Sequence, residues 1–182
     1  MSGHNKWSKV KHKKEATDAK KSTLFGKHAR LIAVESQKAK GDLAAPGLIA
    51  AIERAKKDSM PRENIDRAVA KGKGGGAGSM QEVLYEAYGP GGTAMLITAL
   101  TDNNNRTSGH VKQALSKSGY MLGGPGSAAW AFTKTAEGYA PTSVIALSDV
   151  DGEKLAALVE ELEENDDVQD IYTAADTPDE VG

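Results

Sequence analysis

The 182-residue chain contains no cysteine. Disulfides, thiolate zinc sites and cysteine-ligated iron–sulfur clusters are therefore excluded. Aromatic residues are scarce at 5%, so a core must rest on Ala, Leu, Ile and Val. No run approaches the roughly 18 apolar residues that a membrane helix needs. The N-terminal charges are not followed by the apolar stretch of a secretory signal, and a cytoplasmic protein is expected. His4 and His12 lie in an irregular segment and His28 and His110 are isolated, so no metal or other cofactor is expected. Nor is an enzyme: there is no GxxxxGK[ST] loop, no nucleophile elbow and no close acid–base constellation. Gly72-x-Gly74-x-x-Ala77 loosely fits a dinucleotide fingerprint, but that motif follows a strand and opens a helix. Here it follows a helical segment, which removes it.

A different lack marks the N-terminus. GHNKWSKVKHKK, residues 3–14, holds lysines at 6, 9, 11, 13 and 14, one tryptophan, two histidines and no acid. The net charge of −2 hides a polarised chain. Residues 1–76 carry 18 Lys and Arg against 8 Asp and Glu, whereas residues 77–182 carry 5 against 17. Such asymmetry points to a partner with one sign of charge. Lys20, Lys21, Lys27 and Arg30 continue the basic arm onto the segment that follows, where 20, 27 and 30 share one helical face. A continuous cationic surface suits a phosphate backbone, because each neutralised phosphate releases counterions. The candidate contacts are Lys6, Trp7, Lys9, Lys11, His12, Lys13, Lys14, Lys20, Lys21, Lys27 and Arg30. Trp7 either anchors the arm on the helices or stacks on an exposed base.

The periodicity predicts two domains, 1–76 and 77–182. From Asp18 to about Lys40 good helix formers dominate, with Gly41 just beyond. A second helix follows Pro46, and a third follows Ser59-Met60-Pro61, with Ser59 as a capping residue and Gly72 at the end. Five glycines within Gly72–Ser79 predict a flexible hinge. Beyond it, Glu82–Tyr88 reads as a strand, Gly89-Pro90-Gly91-Gly92 as a turn and Thr93–Thr101 as a strand. Arg106–Ser118 and Asp151–Glu164 read as helices, and Ala128–Thr133, Ser143–Leu147 and Val168–Thr173 as strands. The fold class is α+β: a three-helix domain with a basic arm, then an acidic ferredoxin-like α/β domain with an added hairpin strand. The acidic run Glu160, Glu161, Glu163, Glu164 is expected to lie transiently against the basic helix across the hinge.

Four segments carry a resemblance: GHNKWSKVKHKKEATDAKK, SMPRENIDRAVAKG, YEAYGPGGTAMLITALTDNNNRT and DDVQDIYT. In this order they resemble the signature segments of the YebC/PmpR family. The resemblance implies nucleic-acid binding without a catalytic step. Some members of that family are DNA-binding transcriptional regulators, and others are ribosome-associated translation factors, including a mitochondrial translational activator. Members normally carry a further α/β domain between the strands matching Ala128–Thr133 and Ser143–Leu147. Here only Lys134–Thr142 joins them, so the resemblance implies a short member lacking the inserted domain. The function expected is a ribosome-associated translation factor binding ribosomal or transfer RNA. A DNA-binding transcriptional regulator and a protein-interaction module acting through the acidic domain are the alternatives. Ribosomal proteins are possible partners of that acidic domain, no membrane is involved, and without a coiled coil or dimer seam a monomer is expected.

Overall fold

The computed structural model describes residues 18–74 and 79–176. The basic arm and Gly75–Gly78 lie outside the described residues. The helical part consists of α1 (Asp18–Lys38), α2 (Pro46–Lys57) and α3 (Arg62–Lys73). Ile32 on α1 meets Leu48, Ala51 and Ala55 on α2 and Ile65, Ala68 and Val69 on α3, all buried. Two left-handed residues, Lys40 and Gly41, end α1, and the Gly41 N–H donates to the Ser36 carbonyl at 2.8 Å. Ser59 behaves otherwise than expected. It has φ of 64° and closes α2, while Met60 N–H donates back to Ala55 and Pro61 stands at the cap of α3 without a side-chain bond. A serine before a proline can stop one helix as readily as start another, because both roles use its non-helical backbone. Gly72 lies inside α3, which runs one residue further.

The second part is built on a four-stranded antiparallel sheet. Its strands are β1 (Gln81–Tyr88), β2 (Ala94–Thr101), β3 (Leu122–Gly123) and β7 (Val168–Thr173), in the order β3-β1-β2-β7. The β1–β2 hairpin turns through Gly91 and Gly92, both at positive φ, which glycine adopts without strain. Helices α4 (Asn104–Lys117) and α5 (Asp149–Glu163) cover one face. Val111 and Leu115 from α4, and Leu155, Leu158, Val159 and Leu162 from α5, pack there on Tyr85, Met95 and Ile97. Side chains alternate across a strand, so Leu84, Glu86, Tyr88, Leu96 and Tyr172 stand on the other face.

The α+β class is as expected, but strand membership is redistributed. Glu82–Tyr88 is an inner strand, flanked by both β2 and β3. The stretch Ala128–Thr133 begins as a 3-10 turn at Ala129–Ala131, and only Phe132 starts a strand. That strand, β4 (Phe132–Thr135), pairs with β5 (Gly138–Pro141) in a hairpin outside the main sheet. Within Ser143–Leu147 only β6 (Ile145–Ala146) is extended, pairing in parallel with β8 (Ala175–Asp176). Short apolar runs reveal burial but not strand pairing, which long-range hydrogen bonds decide.

The two parts are packed together. Ala33 and Val34 on α1 are buried against Met80 and Leu100. Gln37 brackets Met80, accepting from its N–H at 3.0 Å and donating to its carbonyl at 3.3 Å. Helix α1 is thus enclosed on both sides along its second half.

Candidate nucleic-acid interface

Among the sequence candidates, Lys6, Trp7, Lys9, Lys11, His12, Lys13 and Lys14 lie outside the described residues. The other four are on α1, and the structure divides them. Lys21 is exposed. Lys20 stands 3.6 Å from Glu160 of α5. Lys27 and Arg30, candidate contacts in the sequence, bridge the junction between the two parts. The Lys27 ammonium donates to the backbone carbonyls of Asn165 and Val168. Arg30 donates from Nε to Asp167 Oδ1 at 2.6 Å and from Nη1 to the Gly26 carbonyl at 3.1 Å. The face shared by residues 20, 27 and 30 meets the acidic half of the same chain and stays partly open to solvent. Sequence periodicity defines a face and not what covers it.

Asp167 is the centre of that junction and is only 3% exposed. Its Oδ2 accepts from Arg106 Nη2 at 3.0 Å and from the Thr107 hydroxyl at 2.7 Å. Burial pushes the Asp167 carboxyl up, but the bonds from Thr107, Arg106 and Arg30 outweigh it and hold it below its ordinary value. Arg106 also donates to Asp102 at 2.9 Å, and Asp102 lies 3.6 Å from Lys71 of α3. Charges of alternating sign therefore run from α1 through α4 to α3. Lys38 adds a pair to Glu82 at 2.8 Å on the far side of α1, and its pKa is raised chiefly by that bond.

The cationic surface left for a ligand lies beside this junction. Helices α1 and α3 flank a groove of about 430 Å³, lined by Ser22, Phe25 and Arg30 from α1, by Asn64, Arg67 and Lys71 from α3, and by Met80 and Asp166. Arg67 has no ion-pair partner among the described residues. Asn64, Arg67 and Lys71 were missed in the sequence. They sit three to four residues apart on the polar side of α3, a spacing that marks a shared face without telling groove from open solvent. Among the described residues no group of three His, Cys, Asp or Glu side chains could hold a metal ion. His28 lies 2.6 Å from Asp58, and His110 is 3.2 Å from Asn165. No helix among the described residues is long and apolar enough to cross a membrane.

Comparison with known proteins places these features in a lineage. Residues 5–75 match the TACO1/YebC protein N-terminal domain, and residues 80–138 match the TACO1/YebC second and third domain. A probable transcriptional regulatory protein of Thermoanaerobacter pseudethanolicus is 36% identical over 244 residues, covering 99% of each chain. One of Trichlorobacter lovleyi is 43% identical over 178 residues, which are 95% of this chain and 70% of that one. A crystal structure of a conserved hypothetical protein from Aquifex aeolicus superimposes with a TM-score of 0.84 at 29% identity, covering 96% of this chain and 98% of the other. The alignment over 244 residues exceeds the 182 present here, so that relative has a segment without a counterpart. The second family match stops at residue 138, at the tip of the β4–β5 hairpin. With both domain types matched in order and the fold shared, the chain belongs to the TACO1/YebC family.

Proposed function

We propose that this protein is a non-catalytic nucleic-acid-binding regulator of gene expression, and that it acts as a ribosome-associated translation factor on folded RNA. The observation that carries the reading is the concave cationic groove between α1 and α3, together with the lysine-rich arm. Arg67, Lys71 and Lys21 with the arm lysines would bind phosphates, and Asn64 would offer an adaptable hydrogen bond. A major groove accepts a convex helix with an exposed row of base-reading side chains. Helix α1 is enclosed on both sides along its second half, and a concave cleft suits a looped or irregular strand better. The names of the relatives favour a second reading, a transcriptional regulator on duplex DNA.

Co-sedimentation with ribosomal subunits tests the proposal. The protein should travel with subunits, be released by ribonuclease treatment, and be released steeply by rising salt. Removing Ser2–Lys14 should weaken RNA binding and flatten the log–log salt slope by roughly 3–5 if about five phosphates are lost. Protein that stays at the top of the gradient, while binding one duplex sequence far above others, would favour the DNA reading.

A further inference from the structure

Trp130 is 63% exposed, an unusual position for the larger of the aromatic side chains in a chain with few of them. Its surroundings are built. The Trp130 Nε1–H donates to Tyr88 Oη at 2.7 Å and to the Ser127 carbonyl at 3.0 Å. Tyr88 Oη donates to that same carbonyl. The polar ends of both side chains are thus engaged by each other and by the loop, and what faces water is ring carbon.

Beneath the loop stands Glu86, buried on the same strand face as Tyr88. Its carboxylate accepts the backbone N–H groups of Gly126 at 2.7 Å, Ala128 at 3.1 Å and Ala129 at 2.6 Å. Burying a carboxylate is costly unless it is hydrogen-bonded, and here three donors serve to fix one exposed segment. The result is a pre-organised aromatic surface. Charge distribution points the same way. The second half of the chain carries 17 acids, yet Ala87–Thr101 and Ser118–Thr133 contain none. Lys134 is the first charged residue after Trp130. Gly124 and Gly126 leave open space at their Cβ positions, so a ligand backbone could approach closely.

We propose that the Tyr88–Trp130 surface is a second nucleic-acid contact, on which an unpaired base stacks. The proposal rests on the nucleic-acid reading above and adds a contact of a different kind on the other part of the molecule. The α1–α3 groove and the arm bind phosphates, whereas this surface binds the flat face of a base exposed by a loop or a single strand. The stretches that carry the exposed rings hold no acid, the one carboxylate beneath them, Glu86, is buried and bonded to three backbone donors, and stacking needs no particular base.

The experiment uses the full chain carrying Trp7→Phe, which leaves Trp130 as its sole tryptophan. A short oligoadenylate and a DNA duplex of equal length are titrated, with indole emission and labelled-ligand anisotropy read together. Oligoadenylate should quench Trp130, and Trp130→Ala should weaken oligoadenylate binding about 5- to 100-fold, the worth of one stacked base. Trp130→Phe should restore most of that loss, and duplex affinity should stay unchanged throughout. Oligoadenylate binding seen by anisotropy without quenching, and unaltered in Trp130→Ala, overturns this surface while leaving the groove intact. Absence of binding to any nucleic acid overturns both readings. Emission that changes with protein concentration alone, or with an apolar peptide and not with oligoadenylate, assigns the surface to protein contacts and overturns the proposal.

Discussion

Asp167 and Glu86 are both buried acids held below their ordinary pKa, and each fixes a piece of surface from beneath. For Glu86 the desolvation that raises it is outweighed by the backbone donors of the loop, and for Asp167 by two guanidinium groups and a hydroxyl. An acid depressed in the folded state adds stability above its ordinary range, near pH 4, and loses it as pH falls through the folded value. The protein should therefore weaken on acidification below about pH 4. Asp167→Asn should cost about 3 kcal/mol at neutral pH, since it unbalances Arg30 and Arg106, and should flatten the acid limb. Urea midpoints measured from pH 7 downward check both effects. A variant with an unchanged acid limb would show that Asp167 is not the titrating group. The burial of Asp167 was not legible in the run Asn165-Asp166-Asp167, which reads as a solvated helix end. Only the approach of α1 and α4 takes one of those carboxylates out of water.

Among the elements, the contact between α1 and α3 depends on Gly72. A Cβ there would run into the Ala33 carbonyl oxygen and lie 2.6 Å from Ser36 Cβ. Ser36, fully buried, donates to the Val69 carbonyl at 2.8 Å across the same contact. Alanine normally gains about 1 kcal/mol over glycine within a helix. Here the clash is with backbone, and overpacking of this kind costs about 1–3 kcal/mol. Gly72→Ala should therefore lower the melting temperature. Gly26→Ala provides the contrast. The nearest atoms to its Cβ would be those of the Asp166 side chain, which is partly exposed, makes only a long pair to Arg30 and can rotate away. That variant should melt at the wild-type temperature or slightly above. Equal destabilisation of both would refute the distinction between a fixed and a movable neighbour. Gly72 was read in the sequence as a terminator because glycine ends many helices. A glycine demanded by a close helix approach has the same signature along the chain.

At the scale of the whole molecule, the expected loose attraction between halves is a packed junction. Ala33, Val34, Met80 and Leu100 supply its apolar part, and Lys20, Lys27 and Arg30 supply its polar part. The acidic end of α5 does lie near the basic helix, as the Lys20–Glu160 pair shows, beside the apolar contacts and the Lys27 and Arg30 bonds that hold the halves together. Replacing Glu160, Glu161, Glu163 and Glu164 with Gln should raise affinity for non-specific duplex a few-fold at low salt. Exposed pairs are worth about 0–1 kcal/mol each and are screened beyond about 8 Å at physiological ionic strength, so the gain should vanish there. Solution scattering should show an unchanged radius of gyration, because the apolar contacts remain. An expanded particle would mean that the acids, not the apolar cluster, hold the halves in place.

The sequence alone determined the class of each long element, the charge polarity of the chain and the family. All three depend on local order: helical period, composition, and motifs read residue by residue. Pro46 opening α2, Gly89–Gly92 turning the hairpin and the apolar stripe of α5 were legible for that reason. The tertiary structure alone decided which cations pair across the junction. It also decided that Glu82–Tyr88 lies inside the sheet, and that Trp130 is exposed while Tyr85 is buried. These outcomes depend on contacts between residues distant in sequence, such as Arg30 with Asp167 and Glu86 with Ala129. A one-dimensional pattern reports that a side chain has a face, and only the packed neighbour determines whether that face meets protein or water.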